Sequence, residues 1–291
     1  MIAGIGPALV DHIYRIENYP PPGGHAVVKS STVMPGGAAG NVIFGLSRFG
    51  VECRFYTTVG EDDDAKFYIS SLEGNGVDVR YSVSHPETGK CHIYVDEKGE
   101  RTFFVHPNAA GRINLKITDA DLRDVDYLYL DPFPTEGSFE FHLDIARRGK
   151  RLGCKVIINP GFPYISLGFE TLSQILDYCD IVFMSKDEIK DFSVRDFQNR
   201  VGLLVITLGK DGSMAFTREE KYYAEAFDVE VVDTTGAGDA FAAGFIYAYL
   251  NGFDIETCLK SGNFVASKNI QHFGARNFPE KEEVDRFLDL I

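Results

Sequence analysis

Asp233-Thr234-Thr235-Gly236-Ala237-Gly238-Asp239-Ala240-Phe241 lies late in the chain and runs directly into the apolar stretch Ala242 to Leu250. The two glycines flanking Ala237 let the backbone turn tightly and aim several N–H groups at one point. That point coincides with the positive end of the helix that follows, so the turn is suited to holding an anion. Asp239 stands at the rim of the same turn, a carboxylate beside the place where a phosphate would be gripped. A base next to an anion hole suits phosphoryl transfer. Taken alone, Gly-Ala-Gly-Asp reads as readily as a flexible turn whose acid decorates a first helical turn, so its company in the chain matters.

That company is Gly36-Gly37-Ala38-Ala39-Gly40-Asn41-Val42, followed by Ile43 to Gly50, in the first fifth of the chain. Gly36 and Gly37 let a ligand approach the backbone with no Cβ in the way, and Asn41, near the start of an amphipathic helix, can donate to and accept from hydroxyls. A polyol can be held that way; the plainer alternative is a capping Asn at a helix start. The two segments, in this order, resemble the paired signatures of the ribokinase-like (PfkB) carbohydrate kinase family, whose late signature is D-T-x-G-A-G-D. The likeness spans nearly the whole chain; the late motif is highly specific, the early one moderately so and those between are weak. Ile43 departs from the pattern, because the family commonly has a small residue there.

The chain is 291 residues long and 44% hydrophobic, enough for a substantial core in one large α/β domain. No uncharged apolar segment of 18 or more residues occurs, and the start Met1-Ile2-Ala3-Gly4-Ile5-Gly6 carries no basic leader, so a cytoplasmic protein with no membrane partner is expected. With 29 basic against 43 acidic residues the net charge is −14, which argues against a nucleic-acid partner and makes any phosphate site local. Cys53, Cys91, Cys154, Cys179 and Cys258 show no C-x-x-C spacing and read as buried thiols; the seven histidines form no H-E-x-x-H cluster.

Short β-branched runs alternate with helical patterns, the sign of a largely parallel sheet covered on both faces. Strands are predicted at Ile2 to Gly6, Cys53 to Val59, Tyr127 to Leu130, Val156 to Asn159, Ile181 to Met184 and Leu203 to Leu208. Helices are predicted at Gly40 to Phe49, Asp63 to Asn75, Phe139 to Arg151, Phe169 to Tyr178, Asp239 to Asn251, Ile255 to Gln271 and Glu280 to Leu290. No linker suggests a second domain, so 1–291 is read as one unit. Two stretches break the alternation and read as β-hairpins: 12–33, around Tyr19-Pro20-Pro21-Pro22-Gly23-Gly24, and 90–107, around Asp96-Glu97-Lys98-Gly99. The resemblance implies an α/β three-layer sandwich with a mostly parallel central sheet, and makes these hairpins a small β-sheet lid that excludes water and can serve as a homodimer surface. His12, His25, His92 and His106 fall in the lid segments, where they could face ligand, although surface or structural roles are the simpler reading for each.

The resemblance also assigns single positions. Asp11 matches the family acid that accepts from sugar hydroxyls, completing a sugar floor with Gly36, Gly37 and Asn41. Glu188 matches the acid of the N-x-x-E motif that helps place magnesium through water, with Ser185 standing in for the Asn. Thr207, Gly209 and Gly212 match the T-L-G-x-x-G turn against the nucleotide, Asn263 the helix lining the base, and Gly274 the loop closing that pocket. Asp233 and Thr235 match positions that hold a monovalent cation, potassium, in several members. Together they imply an ATP-dependent sugar kinase: Asp239 deprotonates a hydroxyl of ribose, fructose or a related sugar, and N–H groups of Gly236, Ala237 and Gly238 stabilise the transferring phosphoryl. Ala38 stands where relatives using phosphosugars tend to carry lysine, which favours a neutral substrate, although Arg101 or Lys29 could supply a charge from the lid. The rivals are a nucleoside kinase and a catalytically silent sugar-binding regulator, the latter disfavoured by the intact G-A-G-D. A dinucleotide oxidoreductase is weaker still, because neither Gly4-Ile5-Gly6 nor Gly236-Ala237-Gly238 continues to the third glycine of G-x-G-x-x-G.

Overall fold

The computed structural model describes residues 1–97 and 101–291. Lys98 and Gly99, in the turn of the second expected hairpin, lie outside the described residues. The strands are β1 (Ile2–Ile5), β2 (Leu9–Ile16), β3 (Val28–Gly36), β4 (Cys53–Val59), β5 (Asp78–Val83), β6 (Gly89–Val95), β7 (Arg101–His106), β8 (Tyr127–Leu130), β9 (Lys155–Ile158), β10 (Ile181–Ser185), β11 (Leu203–Thr207), β12 (Ser213–Phe216) and β13 (Lys221–Ala224). Nine form one sheet in the order β13-β12-β11-β10-β9-β8-β1-β4-β5. From β11 to β5 all neighbours run parallel; β12 and β13 extend it as an antiparallel meander at one edge.

The central strands are apolar on both faces, as a parallel sheet between two helix layers requires. Ile2, Phe55, Tyr129, Ile157, Phe183 and Val205 point into one core with the helices Ala38–Arg48, Ala237–Leu250 and Ile255–Asn269. The alternate positions Ala3, Leu128, Val156, Val182 and Leu204 point into the other, with the helices Ser138–Leu152 and Phe169–Leu176. Each predicted strand and long helix is present within two residues of its expected bounds. Helix Ala237–Leu250 is buried without a break from Ala240 to Ala248, so its sequence is apolar around the whole circumference. Ile43, large where relatives are small, is fully buried, and Gly4 makes room for it: a Cβ there would lie 2.5 Å from Ile43 Cγ1. No helix among the described residues is long and apolar enough to cross a membrane.

The lid is a separate four-stranded sheet, β3-β2-β6-β7. Both hairpins are there, β2 with β3 and β6 with β7, and they are joined through a parallel pairing of β2 with β6. The first hairpin is longer than expected, reaching from Leu9 to Gly36, so Asp11 and Gly36 stand on lid strands instead of beside them. Strand alternation favours the structural reading of the histidines. His12, His92 and His106 form a row with ring centroids 5.3 Å apart in each successive pair, the first pair tilted and the second edge-to-face, on the face opposite Asp11, and His12 contacts Asp64 at 3.2 Å. His25 is exposed in the connection between β2 and β3. Lys29 is engaged at the sheet's far end by Glu97 at 2.5 Å and Glu17 at 3.7 Å.

Candidate active site

Glycines start both helices that point at the site. Gly37, with φ 82°, precedes helix Ala38–Arg48, and Gly236, with φ 70°, precedes helix Ala237–Leu250; other residues rarely adopt this left-handed backbone. The second helix starts on the floor of a cleft of about 710 Å³ lined by Thr207, Gly209, Gly212, Asn263, Ala237 and Gly238, among others. Six residues expected at a nucleotide or phosphate are thus gathered around one cavity. Asn263 lines it while its amide nitrogen donates to Ala224 O at 3.1 Å and Glu225 O at 2.9 Å, so this side chain also ties the β13 edge to the helix. Of the three N–H groups expected to hold the phosphoryl, that of Ala237 donates to Thr234 O at 3.2 Å. This closes the turn and leaves the task to Gly236 and Gly238.

Beyond Gly238 the chain crosses to a second compartment. Asp239 Oδ2 accepts from Asn41 Nδ2 at 2.8 Å, joining the two signature segments across the molecule. Asp11 approaches from the lid beside Gly36, where a Cβ would fall 2.5 Å from its carboxylate. Asp131, just past β8, was not anticipated from sequence; it is 9% exposed and its Oδ2 accepts from Ala39 N at 3.2 Å at the start of the first helix. Burial is the main force on all three acids and raises each to about 7. The Asp239 charge raises Asp11 and Asp131 further, whereas Arg276 lowers Asp11, and Asn41 and Arg276 lower Asp239. Three carboxylates in one low-dielectric space titrate as a group, which is the setting in which a carboxylate becomes a usable base near neutral pH.

Glu188 closes a capping box with the substituted Ser185: Ser185 N donates to Glu188 Oε2 at 2.6 Å, and Glu188 N to Ser185 Oγ at 3.3 Å. The shorter residue therefore still fixes Glu188, and its charge is felt at Asp131. Among the described residues no three His, Cys, Asp or Glu side chains converge as a metal cage.

Asp233 is 2% exposed and spans two loops: Oδ1 accepts from Thr235 N at 2.7 Å, and Oδ2 from Gly274 N at 3.0 Å. The Thr235 carbonyl accepts from Asn269 Nδ2 at 2.9 Å. Gly274, expected to close the nucleotide pocket, is not among the residues lining the cleft; it gives its N–H to Asp233 and packs toward Met34 of the lid.

The chain and its fold resemble known proteins. The family model described as pfkB family carbohydrate kinase matches residues 1–282, and the chain belongs to this family. An uncharacterized sugar kinase of Archaeoglobus fulgidus is 32% identical, over 80% of this chain and 96% of that protein. The crystal structure of the nucleoside kinase of Methanocaldococcus jannaschii, an archaeal member of the ribokinase family, superposes with a TM-score of 0.88 at 26% identity, covering 100% of this chain and 98% of that one. The ribokinase of Thermotoga maritima superposes with a TM-score of 0.85 at 27% identity, over 99% of each chain. The ribokinase-like fold and kinase class are thereby established, with sugar kinases and nucleoside kinases both among the relatives.

Proposed function

We propose that the protein transfers the γ-phosphoryl group of ATP to a hydroxyl of a small sugar held between Asp11, Asn41 and Asp239. The supporting observation is the placement of Gly238 and Asp239: the first lines the nucleotide-sized cleft, and the second turns into the carboxylate compartment with one oxygen held by Asn41. The other oxygen, Oδ1, takes the proton from the substrate hydroxyl. The new bond joins the substrate's hydroxyl oxygen to the γ-phosphorus, the bond from phosphorus to the β-phosphate oxygen breaks, and ADP leaves. Gly236 and Gly238 N–H groups, at the positive helix end, stabilise the charge on the phosphoryl oxygens. Magnesium, when bound, neutralises the phosphates, with Glu188 ordering its water. The lid sheet keeps bulk water from competing as acceptor, and a homodimer through that sheet is part of the same reading.

A nucleoside is the second reading, and one observation favours it. Next to Asp11 on the same lid face, Ile13, Cys91, Ile93 and Val95 form an apolar cluster with Met34 and Phe273, a surface suited to a planar base attached to a pentose. A panel of pentoses, hexoses, inositol, sugar acids, nucleosides and phosphosugars, with ATP and ADP each as donor, separates the readings. Neutral sugars are expected to turn over faster than phosphosugars, because Ala38 offers no charge at the floor and Lys29 is held by acids. A clear preference for a phosphosugar overturns this, and turnover of nucleosides alone installs the second reading.

Potassium is expected to raise the rate over sodium or tetramethylammonium, through oxygen atoms of Asp233 and Thr235 beside the anion turn. The effect is expected to be modest, since both Asp233 oxygens already accept backbone hydrogen bonds. Equal rates in the three salts at matched ionic strength remove the cation from the account.

A further inference from the structure

Behind Asn41 lies a cation that neither signature contains. Arg276 follows the Gly274-Ala275 turn, 235 positions from Asn41, and its Nε donates to Asn41 Oδ1 at 2.9 Å while Nη1 donates to Ser71 Oγ at 2.9 Å. Its guanidinium lies over the rings of Phe44 and Tyr68, 5.0 and 5.5 Å from their centroids. Gly40 of the early motif opens this space: a Cβ there would lie 2.0 Å from the Tyr68 hydroxyl and 3.3 Å from Arg276 Nη2. The early glycine-rich segment therefore serves two sides, ligand on one and this arginine on the other.

An amide can face either way, and in isolation Asn41 has no preference. A guanidinium has donors only, so the Asn41 atom facing Arg276 must be the oxygen. The atom facing Asp239 is then the nitrogen, a donor to a carboxylate, which favours the ionised acid. We propose that Arg276 is a positioning residue for phosphoryl transfer: through Asn41 it fixes a donor against Asp239 Oδ2, and so keeps that carboxylate ionised with Oδ1 free for the substrate hydroxyl. This rests on the reading of Asp239 as the base. The charged and titratable groups around Asp239 are Asp11 on β2, Asp131 after β8, Tyr129 within β8, Glu188 after β10 and Arg276, so the arginine is the sole cation among them in the described residues.

The test is the pH dependence of kcat/KM, which reports the groups of the free enzyme, for Arg276→Gln and Arg276→Lys. Gln can still donate to Asn41 but carries no charge and can present its own oxygen; Lys keeps the charge without the planar fork. In the wild type, kcat/KM falls as pH drops through about 7, where burial places Asp239. In Arg276→Gln this acid limb moves higher by about one pH unit, so kcat/KM at pH 6 falls about tenfold while that at pH 9 stays within about threefold. Arg276→Lys shows the same displacement at about half the size. A purely structural role would lower kcat/KM alike at every pH and leave the limb in place; that result, or superimposed profiles, overturns the proposal. Thermal melts with and without ATP establish that each variant is folded, and if one is not, the limb of the other decides. Asp239→Asn assayed alongside separates the two assignments: retained turnover there overturns the base, whereas lost turnover with an unmoved limb in the Arg276 variants overturns only the role of Arg276.

Discussion

Asp239→Asn leaves a folded protein that still binds nucleotide and transfers phosphate on the order of 100-fold to 10,000-fold more slowly. The side chain keeps its shape and its place at the third helical position, so the helix start changes by at most about 1 kcal/mol. What it loses is the capacity to take a proton. In Asp239 one oxygen accepts from Asn41 at 2.8 Å and the other is left to the substrate; an amide in that position has nothing to offer the hydroxyl at the moment of attack. The nucleotide cleft is lined by Gly238 and not by Asp239, so nucleotide affinity should hardly move. Steady-state rates on the purified variant, beside melts with and without nucleotide, give the result. A folded variant keeping more than about a tenth of the wild-type rate shows that this carboxylate is not the base.

Asp233→Ala is expected to cost about 2–6 kcal/mol of stability and, with it, much of the activity. The two N–H groups of Thr235 and Gly274, the first part-buried and the second buried, lose a charged acceptor, and each donor left without one costs about 1–3 kcal/mol. In a chain of this size that lowers Tm by roughly 3–10 °C. Because the bonds come from two different loops, the Gly236 turn also loses its registration against the loop that carries Gly274 and Arg276. The melt should fall in potassium-free buffer as far as in potassium. A variant that melts with the wild type once potassium is removed would assign Asp233 to the cation alone.

What could be read from sequence divides along physical lines. Tyr127–Leu130 was visible to the residue because a strand buried on both faces is a continuous apolar run bounded by polar residues, and Cys53–Val59 because it is rich in β-branched and aromatic residues and ends at Gly60. β5 was not read, although Asp78–Val83 alternates polar and apolar residues with Val79, Tyr81 and Val83 on one face; it is an edge strand, half of it exposed, and lacks the long apolar run of the central strands. β12 and β13 are no shorter than Tyr127–Leu130, but Ser213–Phe216 and Lys221–Ala224 mix polar and apolar residues where that strand is wholly apolar. In the site, Asp11, Asn41 and Asp239 sit in or near local motifs, so each could be named before the fold was known. Asp131 and Arg276 belong to no motif: an acid after a strand and an arginine after a turn are ordinary in isolation, and only the pairing of β1 with β8 and the packing of the C-terminal segment on helix Ala38–Arg48 bring them to the same few ångströms. Gly274 shows the converse, a position identified through its motif whose N–H the fold directs to Asp233.

The lid and the sugar floor share their backbone. β2 carries Asp11 in its third position, and β3 ends on Gly36, one residue before the glycine that starts helix Ala38–Arg48. A chimaera that exchanged lids between relatives at the apparent hairpin ends, near residues 12 and 33, would therefore cut through the specificity determinants and mix half of each parent's floor. Seams at Ala8 and Gly37 keep Asp11 and Gly36 on one inherited hairpin, and an exchange of the whole sheet must bring β6 and β7 with it, because β2 pairs with β6 at Asp11 and Cys91 and the two hairpins stand as one surface only through that pairing.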